Sequence, residues 1–261
     1  MSVPSSTSSS DERRPRGPWG RTWLLALGLV VILLGGWEAF WRSRGFRPSV
    51  EANDASWVVA RARVGRESTV VLGTSRIQAA LDPDVWQAIR GRAPVQLALL
   101  GTSPAPLLED LAASGFAGLA LVEILPLYAF DASGGPEARS AGVLDRFRRA
   151  EVSPSALTED WLRVYLAGHF VFRKPALHPT RVLEDWRAGR SPLTPPGRMR
   201  ADRWFPLDFS RLPKAEGEAG GDQQFSGART GRPAEGAELG TIITRLASAA
   251  AAIRERGGEV V

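Results

Sequence analysis

The apolar positions of this chain form short continuous runs that alternate with longer amphipathic stretches. Three of these runs have the length of a strand, at residues 69–72, 95–100 and 119–125. Continuous apolar runs are typical of strands that are buried on both faces of a parallel sheet. Helical stretches separate them, and Asp82-Pro83 marks one helix start, with an aspartate cap followed by proline. The pattern predicts an α/β fold with a parallel sheet and right-handed crossovers.

The last part of the chain continues this pattern. Residues 238–256 carry apolar side chains at helical spacing on one face, and Gly257-Gly258 ends the predicted helix. Glu259-Val260-Val261 then predicts a fourth strand. Because a doubly wound sheet rarely ends two residues into a strand, we expect the sequence to be truncated at its C-terminus.

The regular alternation breaks between the third strand and the last helix. Residues 128–236 contain helical stretches at 143–150 and 156–170, separated by proline-rich turns. They predict a helical insertion over one edge of the sheet, packed by Trp161, Trp186 and Trp204. Residues 213–236 are rich in glycine and charge and predict a flexible loop.

An apolar segment near the N-terminus predicts a membrane anchor. Residues 23–37 are uncharged, and the segment reaches Trp41 if Glu38 lies at the interface. A spanning helix needs roughly 17–25 residues, and tryptophans at both ends are typical of membrane interfaces. We expect a transmembrane signal-anchor helix at 22–41. A cleavable signal peptide is disfavoured because bulky residues occupy the place of a small-residue cleavage site. A buried core helix is the remaining alternative.

The segments on either side of the anchor suggest its orientation. Residues 1–21 are rich in serine and proline and contain Arg13, Arg14, Arg16 and Arg21, which predicts a disordered cytoplasmic tail. Residues 42–66 predict a linker and a short helix at 55–64. The main domain, residues 67–261, would then lie outside the inner (cytoplasmic) membrane.

Composition excludes several classes of function. The net charge is +5, and the 33 basic residues comprise only two lysines, so the basicity reflects arginine usage. Without a basic stripe interleaved with aromatic residues, we expect no nucleic-acid binding. There are no cysteines, which excludes disulfides and thiol nucleophiles. The two histidines have no carboxylate at ligand spacing, so we expect no metal.

Candidate chemistry lies at Ser75. The run V-V-L-G-T-S-R places this serine after the first strand and at a helix start. Ligands and catalytic groups lie at the carboxyl ends of such strands, and the N–H groups of a helix N-terminus favour an oxyanion. The alternative is that Ser75 only caps the helix. Gly101 follows the second strand, and Ser103 after it is expected to cap the next helix.

The order of anchor, strand, Gly73-Thr74-Ser75-Arg76, strand and Gly101 resembles the SGNH (GDSL-type) hydrolase/acyltransferase superfamily, and within it the membrane-anchored proteins of cell-surface polymer acylation. The resemblance covers about residues 20 to 126 and the last helix. It implies a three-layer flavodoxin-like sheet, Ser75 as nucleophile, and an oxyanion hole formed by the N–H groups of Ser75 and Gly101. It implies an acyl-ester hydrolase or O-acyltransferase acting on a cell-envelope polysaccharide or glycolipid, a multi-pass membrane acyltransferase as partner, and no cofactor.

Two blocks of this family are missing from the sequence. Glu123-Ile124-Leu125-Pro126 occupies the place of the family's asparagine, and the chain contains no Asp-x-x-His. His169 and His178 could supply a base only if the insertion folds back over Ser75. Arg76 and Glu123 are expected to help bind substrate, although a structural ion pair is the safer expectation for Arg76. The alternatives are a non-catalytic scaffold of a polymer-modification complex and an anchored binding domain unrelated to acyl transfer.

Overall fold

The structure is a computed structural model that describes residues 19–50, 54–192, 197–206 and 231–261. Its helices, in chain order, are α1 (Trp19–Ser43), α2 (Asp54–Arg61), α3 (Ser75–Ala80), α4 (Pro83–Arg90), α5 (Ala105–Ala113), α6 (Pro126–Ala129), α7 (Gly135–Glu151), α8 (Pro154–His169), α9 (Pro179–Arg187) and α10 (Gly236–Glu255). The strands are β1 (Thr69–Leu72), β2 (Val95–Gln96), β3 (Leu119–Val122) and β4 (Glu259–Val260). Two 3₁₀ turns, Val171–Arg173 and Pro175–Leu177, connect α8 to α9.

The four strands form one parallel sheet in the order β2-β1-β3-β4. The predicted parallel α/β fold is therefore confirmed, and so is the strand predicted at the C-terminal end. The second and third strands are both shorter than predicted, since they end at Gln96 and Val122. Beyond Gln96 the chain still bonds to β1, since the N–H groups of Leu97 and Leu99 donate to Val71 and Gly73, but its other edge faces the Arg203 side chain instead of a strand.

The core lies where helices cover this sheet. Val70, Val71 and Leu72 of β1 have no exposed surface, as expected for a strand with apolar side chains on both faces. On one side Trp57 of α2 is fully buried, packs edge-on against Phe147 of α7, and donates through Nε1 to a backbone carbonyl that follows β2. Helices α5 and α10 pack against each other.

The insertion between β3 and α10 packs mainly on α2. Helices α7 and α8 both contact α2, and the first 3₁₀ turn contacts α1. The expectation that Trp161 and Trp186 pack the insertion is wrong, because they are 49% and 50% exposed. Trp204 does pack, and its Nε1 donates to the carbonyl of Ala79 in α3. The predicted flexible loop lies largely in residues 207–230, outside the described residues.

Helix α1 is long and apolar enough, by its length and composition, to cross a membrane. Residues 19–36 are all exposed, whereas Trp41 is buried against the insertion. The predicted disordered tail falls mostly on residues 1–18, outside the described residues, while Trp19 to Arg21 are already helical. The segment after the anchor is packed, since Phe46 and Val50 are buried.

Candidate functional site

The positions that follow β1, β2 and β3 meet at the carboxyl edge of the sheet. Ser75 begins α3 directly after the β1 turn. Leu99 N–H donates to Gly73 O at 3.0 Å, so the segment that leads to Gly101 runs beside this turn. On the other side, Glu123 N–H donates to Leu72 O at 2.9 Å. Parallel topology brings the three predicted positions to one edge.

The Glu123 carboxylate binds the turn that precedes α3. Its Oε2 accepts hydrogen bonds from the Thr74 N–H at 2.8 Å and from the Thr74 hydroxyl at 2.9 Å. Gly73 makes this approach possible, because a Cβ at this glycine would lie 2.6 Å from the Glu123 Cβ. Its φ of +142° also lies outside the region that other residues adopt readily. Glu123 therefore joins β3 to the β1–α3 turn.

Ser75 is half-buried, and its hydroxyl makes no hydrogen bond to any described residue. The alternative that Ser75 only caps the helix is wrong by one residue. Thr74 is the N-cap of α3, and its hydroxyl accepts from the N–H of Arg76 at 3.3 Å. Because a neighbour performs the capping, the Ser75 hydroxyl and backbone N–H are left for a ligand among the residues the structure describes.

Gly101 lies in a left-handed conformation, with φ +64°. A Cβ there would lie 2.7 Å from Nη1 of Arg139 and 3.8 Å from the ring of Tyr128. Arg139 donates to the carbonyls of Leu100 at 3.1 Å and Gly101 at 3.2 Å. The Gly101 N–H makes no hydrogen bond within the described part of the chain, so it remains available as a donor.

Ser103 is a packing residue in this structure. It is 4% exposed, and its carbonyl accepts from the Ser140 hydroxyl of α7 at 2.7 Å. The N-cap of α5 is Pro104, so the prediction that Ser103 occupies that position is also off by one residue. Its hydroxyl still accepts from the N–H of Ala105 at 3.4 Å, which is the bond a capping side chain makes.

Arg76 is exposed, and its Nε lies 3.8 Å from Oε1 of Glu123. The expected structural pair exists, but it is loose, and exposed pairs of this kind contribute at most about 1 kcal/mol. The Arg76 guanidinium therefore remains accessible to an anionic ligand beside Ser75.

The two histidines lie in other surroundings. His169 Nδ1 is 2.7 Å from the Tyr165 carbonyl, and the His169 carbonyl accepts from Arg42 at the end of α1. His178 Nδ1 is 2.9 Å from the Thr180 hydroxyl. Neither ring contacts Ser75 among the described residues. Within the same residues no group of histidine and acidic side chains has a metal-binding arrangement.

Three residues near this edge were missed by sequence reasoning. Tyr128 and Arg139 come from the insertion, and nothing in their local sequence indicates that they reach Gly101. Gln78 lies one helical turn after Ser75, is 3% exposed, and its Nε2 has no partner among the described residues. The i, i+3 spacing from Ser75 was the only sequence signal available for it.

We expect Glu123→Ala to lower the free energy of unfolding by about 2 kcal/mol, because it leaves the buried N–H of Thr74 without an acceptor. Glu123→Gln keeps one acceptor oxygen and should cost about half as much. Urea unfolding of the full chain in detergent micelles measures both. The control is Glu151→Ala, at an exposed position with no ion pair among the described residues. Equal effects at 123 and 151 would contradict a structural role for Glu123.

No family model, curated protein or solved structure matches this chain. We term the carboxyl edge of the sheet around Ser75, Gly101 and Glu123 the Ser75 edge. What this edge binds or catalyses is inferred from its own residues.

Proposed function

We propose that this protein is a single-pass, membrane-anchored SGNH-like protein whose flavodoxin-like, three-layer domain lies outside the cytoplasmic membrane. It acts there as a non-catalytic scaffold in the acylation of a cell-envelope glycan, alongside a multi-pass membrane acyltransferase. The glycan, free or lipid-linked, binds at the Ser75 edge of the sheet.

The membrane assignment is supported by α1, which has 25 residues and no buried residue in its most apolar window. Arg13, Arg14 and Arg16 precede it, which favours a cytoplasmic N-terminus. The domain that follows α1 would then lie on the opposite side of the membrane.

One observation favours a scaffold over an enzyme, namely the position of the Glu123 carboxylate. An acyl-transfer site needs hydrogen-bond donors aimed at the developing oxyanion. The resemblance to SGNH proteins places an asparagine after the third strand for this purpose. Here a carboxylate follows β3 and bonds to Thr74, the residue before Ser75, so its negative charge would oppose an oxyanion that formed at Ser75.

The surroundings of Gly101 support glycan binding. The half-buried ring of Tyr128 and the exposed guanidinium of Arg139 lie at this glycine, and the exposed Arg76 follows Ser75 on the neighbouring turn. An aromatic face can stack on a sugar ring, and guanidinium groups donate to hydroxyl and carboxylate oxygens. This combination suits a polar, oxygen-rich ligand.

Serine acyl-ester chemistry is the second candidate, and a different observation favours it. The Ser75 hydroxyl is accessible, and the N–H groups of Ser75 and Gly101 have no partner among the described residues. They are the two donors that the family resemblance assigns to the oxyanion hole. Ser75 would then act as the nucleophile of an ester hydrolase or O-acyltransferase.

Labelling with a fluorophosphonate separates the two candidates. We expect the full chain in nanodiscs to take up no more label than the Ser75→Ala variant, because the carboxylate beside Ser75 disfavours the oxyanion. Ser103→Ala is the matched control at a buried serine. Label that is lost in Ser75→Ala and retained in Ser103→Ala would overturn the scaffold proposal and establish a serine enzyme.

A further inference from the structure

The last turns of α1 are bound directly to the insertion. Trp37 Nε1 donates to the carbonyl of Leu177 at 3.2 Å. The Glu38 carboxylate accepts from the N–H groups of Val171 and Phe172, both at 3.0 Å. The first 3₁₀ turn is thus capped by a side chain of the same helix that carries the apolar membrane segment.

Apolar packing completes this contact between the end of α1 and the insertion, which we term the joint. Trp41 is 2% exposed and contacts Phe46 edge-on, with ring centroids 5.2 Å apart. Arg42 Nη2 donates to the His169 carbonyl at 2.8 Å. The same cluster contains three buried residues of the insertion, Val171, Leu177 and Val182. A packed joint, in place of a free linker, therefore fixes the domain relative to α1.

The position of the joint along α1 sets its depth in a membrane. Residues 19–36 are exposed all round, and at 1.5 Å per residue these 18 residues extend about 27 Å. They include Arg21 of the predicted tail, which lies close enough to the helix start for its guanidinium to reach the headgroups. The hydrocarbon core of a bilayer is about 30 Å thick. Trp37 therefore stands at the membrane surface, at the depth where tryptophan is enriched. Val171, Phe172 and Leu177, which bond to Glu38 or Trp37, lie at the same level.

Residues 170–178, which we term the juxtamembrane segment, have side chains that are suited to the membrane surface. The segment reads F-V-F-R-K-P-A-L-H and contains no acidic residue. Phe170 is 37% exposed and its ring lies 5.2 Å from that of Phe172. Arg173 is exposed, and Lys174 is half-buried with no ion pair to a described residue. Burial and, next, the nearby Arg198 lower the pKa of Lys174, which an adjacent anion would offset.

We infer that the juxtamembrane segment is seated in the headgroup layer of the outer leaflet, where Arg173 and Lys174 bind the phosphates of anionic lipids. This inference rests on the proposed membrane anchor. Aromatic and basic side chains together are typical of this layer, and each basic residue there strengthens attraction to an anionic surface about fivefold. The consequence is a fixed orientation of the Ser75 edge relative to the membrane.

Single-cysteine fluorescence quenching tests this arrangement, because the chain has no native cysteine. Phe170→Cys, Leu27→Cys and Val152→Cys are labelled with an environment-sensitive dye in full chains in nanodiscs of phosphatidylcholine and phosphatidylglycerol. Val152 is the control: it is 84% exposed and lies at the opposite end of α8 from Phe170, about 24 Å away along the 16-residue helix. We expect a headgroup nitroxide to quench position 170 at least about twofold more than position 152, and a deep acyl-chain nitroxide to quench position 27.

The outcomes separate the anchor from the seated segment. Loss of deep quenching at 27 would contradict the anchor itself. Quenching at 27 with no excess at 170 over 152 would overturn the inference and leave the anchor in place. The contribution of the two basic side chains to lipid binding is measured in a variant that combines Arg173→Gln and Lys174→Gln with the labelled Phe170→Cys. We expect omission of phosphatidylglycerol to reduce quenching at 170, and the double substitution to remove this lipid dependence. Equal quenching with and without anionic lipid would overturn the phosphate contacts.

Discussion

Replacing Arg203 with methionine is expected to lower the free energy of unfolding by about 4 kcal/mol, because it leaves buried carbonyl groups without a donor. The Arg203 guanidinium is 1% exposed. Nε donates to the carbonyl of Gln96 at 3.0 Å and Nη2 to that of Ala98 at 2.8 Å. Nη1 donates to the Ser56 hydroxyl at 2.5 Å. The side chain thus supplies the donors that another strand would supply at the free edge of β2.

The charge of Arg203 makes the position unusual. Burial lowers the pKa of Arg203 to about 10, so the group stays cationic at neutral pH. Carbonyl dipoles stabilise the charge, and no carboxylate among the described residues pairs with it. Its φ of +68° is unfavourable for a residue with a Cβ. We attribute the persistence of both features to the three hydrogen bonds, which one planar guanidinium makes at once.

Urea unfolding of the full chain in detergent micelles, followed by tryptophan fluorescence, measures this effect. Arg203→Lys keeps the charge but cannot span the same acceptors, so we expect more than half of the loss to remain. The matched control is Arg149→Met on α7, an exposed arginine with no ion pair to a described residue. A loss at 203 no larger than at 149 would show that the sheet edge does not depend on this side chain.

The strands and most helices were predictable because their signals are local. Apolar runs mark β1 and β3, and the Asp82-Pro83 cap and Gly91 mark the two ends of α4. The length of β2 was not predictable, because its outer edge is covered by Arg203, which lies more than a hundred residues away. Local pattern cannot show which distant side chain replaces a missing strand.

The placement of the candidate site residues was predictable from the sequence, but their side-chain contacts were not. Parallel topology alone brings Ser75, Gly101 and Glu123 to one edge once three strands are assigned. The contact of Glu123 with Thr74 depends on a side-chain conformation and on the missing Cβ of Gly73. These are tertiary details that a pattern of apolar positions does not contain.

The joint between α1 and the domain shows the same limit. Glycine, proline and asparagine predicted a linker after the anchor, and composition alone gave no reason to expect a rigid contact. Trp37, Glu38 and Trp41, which hydropathy assigned to the end of the membrane helix, instead bind the insertion. Their contacts are more than a hundred residues apart in sequence, so only the folded chain shows them.

Gly73→Ala is expected to lower the free energy of unfolding by about 4 kcal/mol, because it combines backbone strain with a steric clash at the candidate site. At φ +142° a side chain is strained whatever space is available. The new Cβ would also lie 2.6 Å from the Glu123 Cβ and 2.8 Å from its Oε2. Relief requires Glu123 to move, which would break its hydrogen bonds to Thr74.

The control is a glycine at which alanine is expected to change the free energy of unfolding in the opposite direction. Gly142 lies inside α7 and has no atom within 4 Å of a built Cβ. Gly142→Ala is therefore expected to raise the free energy of unfolding by up to about 1 kcal/mol, through helix propensity. Both variants are compared by urea unfolding in the same micelles. A stable Gly73→Ala variant would mean that Glu123 is not held against the β1–α3 turn, and the structural argument for a carboxylate beside Ser75 would then fail.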